Sequence, residues 1–422
     1  MSENRQAMKD VNVVLVPEEL TARANKNLKR RRACKVVCAL VIVAVVLTVF
    51  FSVILQPVSL GAGKGSVDGK YGYVLADIEG ITEANPRIVD IAMLGAHDAN
   101  TNSLEADNPV DGYAASTVLG KIQPLVKGFQ YRFAVTQPVS VGQQLLQGAR
   151  FLHLKYADFN GEWLASHTVV GGKVENDVLE ILQYLDTHVG EVLILLFHPT
   201  YFGEGAGYEN FHDWLATVEY NGKNIYDYVF YDKVDVFGDA DGENDGVRIS
   251  SLRYNDVTLN GTSSGVVLLD RREVKVTPDP NLPQSQYSQY FYDMDCNALH
   301  EWHNRMGSDV LMEEINATCE EVAAEDAAGN MLHVNQTQAS VSAASLGDIF
   351  RDIGAWSLLK FAEKHNAALL DNPNFDKWLS VMPIFQVDFL NSDYKDFNRR
   401  VNERIRSYNE NLVASLIAND GE

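Results

Sequence analysis

Several short stretches of the chain carry side chains that can do chemistry together. Arg87–Ser103, RIVDIAMLGAHDANTNS, runs from an apolar segment through Gly95 into an imidazole beside a carboxylate, His97-Asp98. Gly148–Ala157, GARFLHLKYA, has His153 and Lys155 two residues apart, hence on one face of a strand. Trp163–Gly172, WLASHTVVGG, sets His167 beside a glycine turn. Ile384–Asn391, IFQVDFLN, holds Asp388 inside an apolar run. A carboxylate there is buried and needs a partner such as an imidazole. Imidazoles are the side chains that change charge near neutral pH, so the set points to proton-transfer chemistry supported by a lysine.

The elements that would position these groups alternate strand-like runs with helical patterns, which indicates an α/β fold with a parallel sheet. Ile88–Leu94 reads as a strand buried on both faces, interrupted only by Asp90. Pro138–Gly148 reads as a short helix closed by glycine, and Arg150–Tyr156 and Trp163–Ser166 as strands. Asp177–His188 has apolar residues at helical spacing and Gly190 as a stop. Val192–Phe197 (VLILLF), followed by His198, and Val266–Leu269, followed by Asp270-Arg271-Arg272, are continuous apolar strands. Trp356–His365 is an amphipathic helix, Ile384–Phe389 a last strand and Phe397–Leu412 a terminal helix. That makes six strands. A closed eight-stranded barrel needs two more, which would have to lie within 278–350. In α/β barrels the chemistry sits beyond the C-terminal ends of the strands, where His97 and its candidate partners fall.

The chain has 422 residues, 46% of them apolar, and a formal net charge of −22. Residues 1–35 carry nine Lys/Arg against four Asp/Glu, while 58–422 carry 26 against 53. So acidic a body repels nucleic acid, which excludes DNA or RNA as a partner. The basic run Arg23–Lys35 precedes Val36–Leu55, twenty uncharged residues rich in Val, Leu, Ile and Phe. That length matches the ~20 residues needed to cross a bilayer. The basic flank places the N-terminus on the cytoplasmic side. The expected organisation is therefore a cytoplasmic basic tail over 1–35, a transmembrane signal anchor over 36–55, a linker over 56–70 and a catalytic domain over 71–422. The protein would be a single-pass type II membrane protein with its body extracellular or lumenal. Sequons at Asn260, Asn316 and Asn335 agree with N-glycosylation on that side.

Asp239–Gly246, DADGENDG, has alternating carboxylates but lacks the terminal glutamate of a calcium loop, since Leu252 stands there; it reads as a solvated acidic loop. His300-Glu301-Trp302-His303 lacks the i, i+4 histidine spacing of a zinc helix and reads as a helix surface. Cys296 and Cys319 are the only cysteines of the large domain, and either a disulfide or two thiols fits them.

Taken in order, these pieces resemble the phosphatidylinositol-specific phospholipase C X-domain superfamily. Its bacterial-type members show P-G-T-H-D-S on the first strand, a Q-x-x-x-x-x-Q-L-x-x-G-x-R stretch leading into D-I-R, and H-G on the next strand. Here the matching residues are Leu94-Gly95-Ala96-His97-Asp98-Ala99, then Gln137 through Gln144-Leu145 to Gly148-Ala149-Arg150, then His153-Leu154-Lys155, and His167-Thr168. Val387-Asp388-Phe389 is similar to the V-D-F strand of many members. The resemblance covers Asp90–Leu196 well and continues loosely beyond it. It implies a TIM-type (β/α) barrel, irregular or incomplete, and a phosphodiesterase acting on a phospholipid or related diester by in-line attack of a neighbouring hydroxyl. By that resemblance His97 is base, Asp388 its orienter, His167 acid, Lys155 the cation on the phosphoryl oxygens and Asp98 its holder. Arg271, His198 and His153 fall at substrate-contacting positions. The D-x-R carboxylate is His153 here and its arginine is Lys155, so the resemblance implies neither a metal nor another cofactor. A lipid- or glycan-binding domain on the same barrel and a metal-dependent glycerophosphodiesterase-like enzyme are the competing readings. The second wants carboxylate ligands where His153 stands.

Overall fold

The computed structural model describes residues 29–32, 34–45, 72–105, 107–112, 131–235, 246–272, 277–303, 305, 307–326, 328–338, 358–392 and 394–420. The chain divides into two units, Met1–Gln56 and Pro57–Glu422. In the first, 29–32 and 34–45 are helical, with Val36, Val37, Leu40, Val41, Ile42, Val43 and Val45 exposed. Among the described residues no helix is long and apolar enough to cross a membrane. At ~1.5 Å per residue the described helical stretch 34–45 spans ~18 Å, short of the ~30 Å of a hydrocarbon core. The expected transmembrane anchor over 36–55, the membrane contact through it and the type II placement are corrected accordingly; 46–55 lie outside the described residues.

The described residues of the second unit form ten strands. In chain order they are β1 (Met93–Ala96), β2 (Ala149–Phe159), β3 (Glu162–His167), β4 (Val169–Lys173), β5 (Val192–Tyr201), β6 (Gly265–Asp270), β7 (Phe291–Asp293), β8 (Ala298–Trp302), β9 (Leu332–Gln336) and β10 (Ile384–Val387). The sheet order is β7-β6-β5-β2-β1-β10-β9-β8, every neighbouring pair parallel. The long end of β2 continues into an antiparallel extension with β3 and β4. The two edge strands, β7 and β8, are consecutive in sequence and joined by one helical turn, Met294–Asn297. Helices α1 (Val141–Leu146), α2 (Val174–Thr187), α3 (Tyr208–Leu215), α4 (Ser308–Glu325), α5 (Leu358–Asp371), α6 (Phe375–Val381) and α7 (Phe397–Asp420) complete an architecture consistent with an α/β barrel. Three parallel strands missing from the sequence reading, β7, β8 and β9, lie in the interval 278–350 where two were expected, and β4 was not read as a strand at all.

Strand alternation sorts the core into two parts. Leu152, Leu154, Leu193, Leu195, Phe197, Val266 and Leu268 pack with the helix residues Val141, Val178, Ile181 and Leu182. Their neighbours Phe151, Ile194, Leu196, Val267, Leu269, Met93, Ile384 and Val334 form a second cluster. The same period carries that second face onward to His153 and Lys155 on β2, His198 on β5 and Arg271 after β6. On β1 it reaches His97, after β10 Asp388, and on β8 His300. The polar groups therefore stand as a layer above an apolar floor. Gly95 is required where that floor closes, because a Cβ there would meet Gln386 Cα at 3.1 Å and Phe151 Cδ1 at 3.3 Å.

Two expectations are corrected by local physics, and the open choice at the cysteines is settled. Ile88–Leu94 is not one strand: Ile88–Asp90 is a 3-10 turn and the strand begins at Met93. Arg87 closes that turn by donating to Asp90 Oδ2 and Oδ1 at 2.8 and 2.7 Å. His300–His303 is not a helix surface, since His300 lies on β8. Cys296 is an exposed free thiol and Cys319 a buried one. The sequons also divide. Asn335 is fully buried on β9, and Asn316 Oδ1 accepts from Trp378 Nε1 at 2.7 Å, whereas Asn260 is exposed. Burial leaves no room for a glycan on Asn335. Most of the acidic loop, 236–245, lies outside the described residues.

Candidate active site

The loop after β1 brings His97 and Asp98 to the C-terminal end of the sheet. Asp98 has φ +43°, a left-handed conformation that a non-glycine residue holds only when its surroundings enforce it. Thr168 beside His167 and Phe389 beside Asp388 are also left-handed, at φ +69° and +48°. The enforcing contacts are visible. Thr136 Oγ1 donates to the His97 carbonyl at 2.9 Å, and Ala99 N donates to the His153 carbonyl at 2.6 Å. Gln137 Nε2 donates to the Val387 carbonyl at 2.8 Å while its Oε1 accepts from Leu390 N at 3.2 Å. Its Nε2 also donates to the His97 carbonyl at 3.3 Å, so Gln137 fastens the β10 end against the β1 end. Gln144, from α1, donates to the Ala99 carbonyl at 2.7 Å.

His97 Nδ1 donates to Asp388 Oδ1 at 2.7 Å, the pairing expected for a carboxylate in an apolar strand. Asp98 is fully buried and central. Its Oδ2 lies 3.1 Å from Lys155 Nζ, 3.4 Å from His167 Nδ1 and 3.5 Å from His97 Nε2, and its Oδ1 lies 3.2 Å from His153 Nδ1. His167 Nδ1 donates to the Ala134 carbonyl at 2.7 Å. The His97 and His167 rings are 6.4 Å apart between centroids and nearly perpendicular. His153 Nε2 and His198 Nδ1 share a 2.8 Å hydrogen bond. Seven of the eight residues singled out, His97, Asp98, His153, Lys155, His167, His198 and Asp388, thus form one connected cluster.

The eighth, Arg271, enters through a residue that the sequence reading missed. Arg271 Nη1 is 3.3 Å from His300 Nδ1, and the His300 ring meets His153 edge-on with centroids 5.8 Å apart. Gln336 Nε2 donates to His300 Nδ1 at 2.9 Å, and His300 Nε2 donates to Gln386 Oε1 at 3.0 Å. Two donors on Nδ1 and an acceptor on Nε2 fix His300 as a neutral Nε2–H tautomer. The available signal was a strand-like i, i+2 arrangement in Ala298–Trp302, too short to separate from a helix by period.

Burial would raise the Asp98 carboxyl, but the charges of His97, Lys155, His167 and His153 outweigh it and hold Asp98 well below the usual carboxylate range. Burial pushes His167 down to about 4, against the pull of Asp98 and with Lys155 adding to the depression. Burial also holds His153 and His300 well below the usual imidazole range, opposed at His153 by Asp98. Asp388 is raised by burial, with His97 opposing. At neutral pH the cleft thus combines the ionised Asp98 carboxylate, paired with Lys155, and neutral imidazoles at His153, His167 and His300. His97, Asp98 and His153 also offer one ligand atom each within 4.8 Å of one another, a set that can hold a metal ion.

No protein-family model and no curated protein sequence matches the chain. Solved structures do. A phosphatidylinositol-specific phospholipase C of S. aureus is 13% identical, with a TM-score of 0.50 over 80% of this chain and 97% of that one. The phosphatidylinositol-specific phospholipase C of Listeria monocytogenes is 16% identical, with a TM-score of 0.48 over 80% and 98%. The fold is that of the phosphatidylinositol-specific phospholipases C.

Proposed function

We propose that this cleft, on this fold, makes the protein a phosphodiesterase of the phosphatidylinositol-specific phospholipase C kind, acting on a lipid phosphodiester by acid–base catalysis between two histidines without metal. The observation that carries the reading is the pair of imidazoles beside the Asp98–Lys155 ion pair, each with Nδ1 donating to a fixed acceptor. That commitment leaves Nε2 of both rings as the nitrogen available for proton transfer. His97 Nε2 takes the proton of the attacking hydroxyl, and the Asp388 carboxylate stabilises the resulting imidazolium. Lys155 Nζ stands against the charge that grows on the phosphoryl oxygens. His167 returns a proton to the leaving alcohol. Burial sets its low pKa; a phosphodiester anion beside it favours the charged ring and raises the value toward the working range. Lysine in place of an arginine keeps the charge but not the planar fork that grips phosphate through two parallel bonds, so turnover is slower than an arginine would give.

The test is purified full-length protein with phosphatidylinositol vesicles and a chelator, following soluble inositol phosphate. Release by the wild type and its loss in His97→Ala supports the reading. A folded protein that releases nothing from phosphatidylinositol or any other phosphodiester lipid refutes it. Vesicle or glycan binding unchanged in His97→Ala would then favour a binding domain, a reading motivated by Lys155 being engaged on Asp98 and His153 on His198.

A further inference from the structure

The centre of the cleft contains an unmet demand for a ligand. Asp98 Oδ1 and His153 Nδ1 face each other at 3.2 Å. Both are buried, their residues at most 2% exposed, and neither has a hydrogen-bond partner among the described residues. Leaving such buried polar atoms unsatisfied is costly, so a ligand that engages both is favoured. His97 Nε2 approaches the same carboxylate from the other side, 3.5 Å from Oδ2. All three donors fall within the 4.8 Å span that one metal ion can bridge.

The outer contacts suit a metal as well. His97 Nδ1 donates to Asp388, and the Nε2 of His153 is hydrogen-bonded to His198 Nδ1. A metal-ligating histidine is characteristically held in this way: its far nitrogen donates to a fixed acceptor and its near nitrogen keeps the lone pair. Two imidazoles and one carboxylate favour zinc and neighbouring transition metals over calcium and magnesium, which prefer oxygen donors. Lys155 Nζ, on Asp98 Oδ2, is the rival cation, and its flexible stem can swing aside.

We propose that His97, Asp98 and His153 form a binding site for a divalent transition metal of the zinc class, and that the metal-bound and lysine-paired states of Asp98 exclude one another. The metal occupies the nitrogen that His97 needs for proton transfer, so it inhibits the phosphodiesterase. The inhibition rests on the function proposed above; the binding does not.

The test uses chelator-treated full-length protein titrated with Co²⁺, read by visible d–d absorption, and with Zn²⁺ in competition with a chromophoric chelator. One equivalent should bind and should resist Ca²⁺ and Mg²⁺. His153→Ala and Asp98→Asn should each weaken binding by ~100-fold or more. His198→Ala, which leaves the three ligands in place, should weaken it ~10–100-fold. Lys155→Met should strengthen it about tenfold, because the competing charge is gone. No binding, or affinities unchanged in His153→Ala and Asp98→Asn, would overturn the site, with thermal melts excluding misfolding. The expected binding pattern without cleavage of any phosphodiester would leave the metal site standing and remove the phosphodiesterase. Cleavage that continues at full rate with the metal seated would overturn the inhibition, and metal affinity unchanged in Lys155→Met would overturn the exclusion.

Discussion

Asp388→Asn isolates the part of the site that acts through another residue. Asp388 is 1% exposed, and its Oδ1 lies 2.7 Å from His97 Nδ1. When His97 takes the nucleophile's proton, an imidazolium forms against this carboxylate with charge centres ~4 Å apart. At an effective dielectric of ~20 the attraction is about 4 kcal/mol. At ~1.4 kcal/mol per decade of rate, its loss lowers kcat by ~10³. Asparagine can also donate to Nδ1, which moves the ring proton to Nε2, the nitrogen that must accept. KM should change little, since Asp388 contacts His97 and not the phosphate. The main chain should hold, because Asn366 Nδ2 donates to the Asp388 carbonyl at 2.9 Å independently of the side chain. Burial raises the Asp388 pKa, so the variant should melt at the wild-type temperature or above. The assay is inositol phosphate release from phosphatidylinositol vesicles, paired with a thermal melt. A loss under tenfold in a protein that melts normally would refute the role given to Asp388.

Lys155→Met should lower kcat by ~10²–10³ while Lys155→Arg keeps or exceeds the wild-type rate in the same release assay. Stability should fall with acid below the unfolded imidazole pKa of 6.5: His153 and His167 are neutral when folded, so the unfolded chain binds more protons there, down through the His167 value of about 4. A quarter of the His167 side chain meets solvent, which screens its share to about 2 kcal/mol between those pH values; urea melts across the range read it. Glu191 is fully buried, pairs with Arg150, and accepts from Leu75 N at 2.5 Å and Tyr184 Oη at 2.9 Å. Glu191→Ala leaves the Arg150 guanidinium buried without its counter-charge and should cost about 3–5 kcal/mol in urea unfolding.

The sequence made the groups of the cleft legible where burial and chemistry conflict. An aspartate inside IFQVDFLN has to find a donor, and Asp388 finds His97. The same logic failed for His300, because five residues of β8 are too few to separate strand from helix by period. What tethers His300 are amides on distant strands, Gln336 and Gln386, and no local pattern announces such pairs. Ile88–Leu94 looked like strand by composition, yet the Arg87–Asp90 contact curls its first half into a turn. His198, expected against substrate, is hydrogen-bonded to His153 at 2.8 Å, a contact that no local pattern announces. The apolar stretch near the N-terminus matched a membrane span by length, composition and its basic flank, but among the described residues no helix is long and apolar enough for that role.

The division of labour between the two histidines is tested most directly by changing the leaving group. Rates of His97→Ala and His167→Ala should be compared on phosphatidylinositol and on an inositol phosphodiester with a p-nitrophenol leaving group, which departs without a proton. General acid–base assistance is worth ~10²–10⁴ per group. His97→Ala should lose that factor on both substrates, while His167→Ala should lose it on the lipid and recover most of it on the activated ester. Equal losses for His167→Ala on both substrates, or no loss for either variant, would contradict the assignment of base and acid across this cleft.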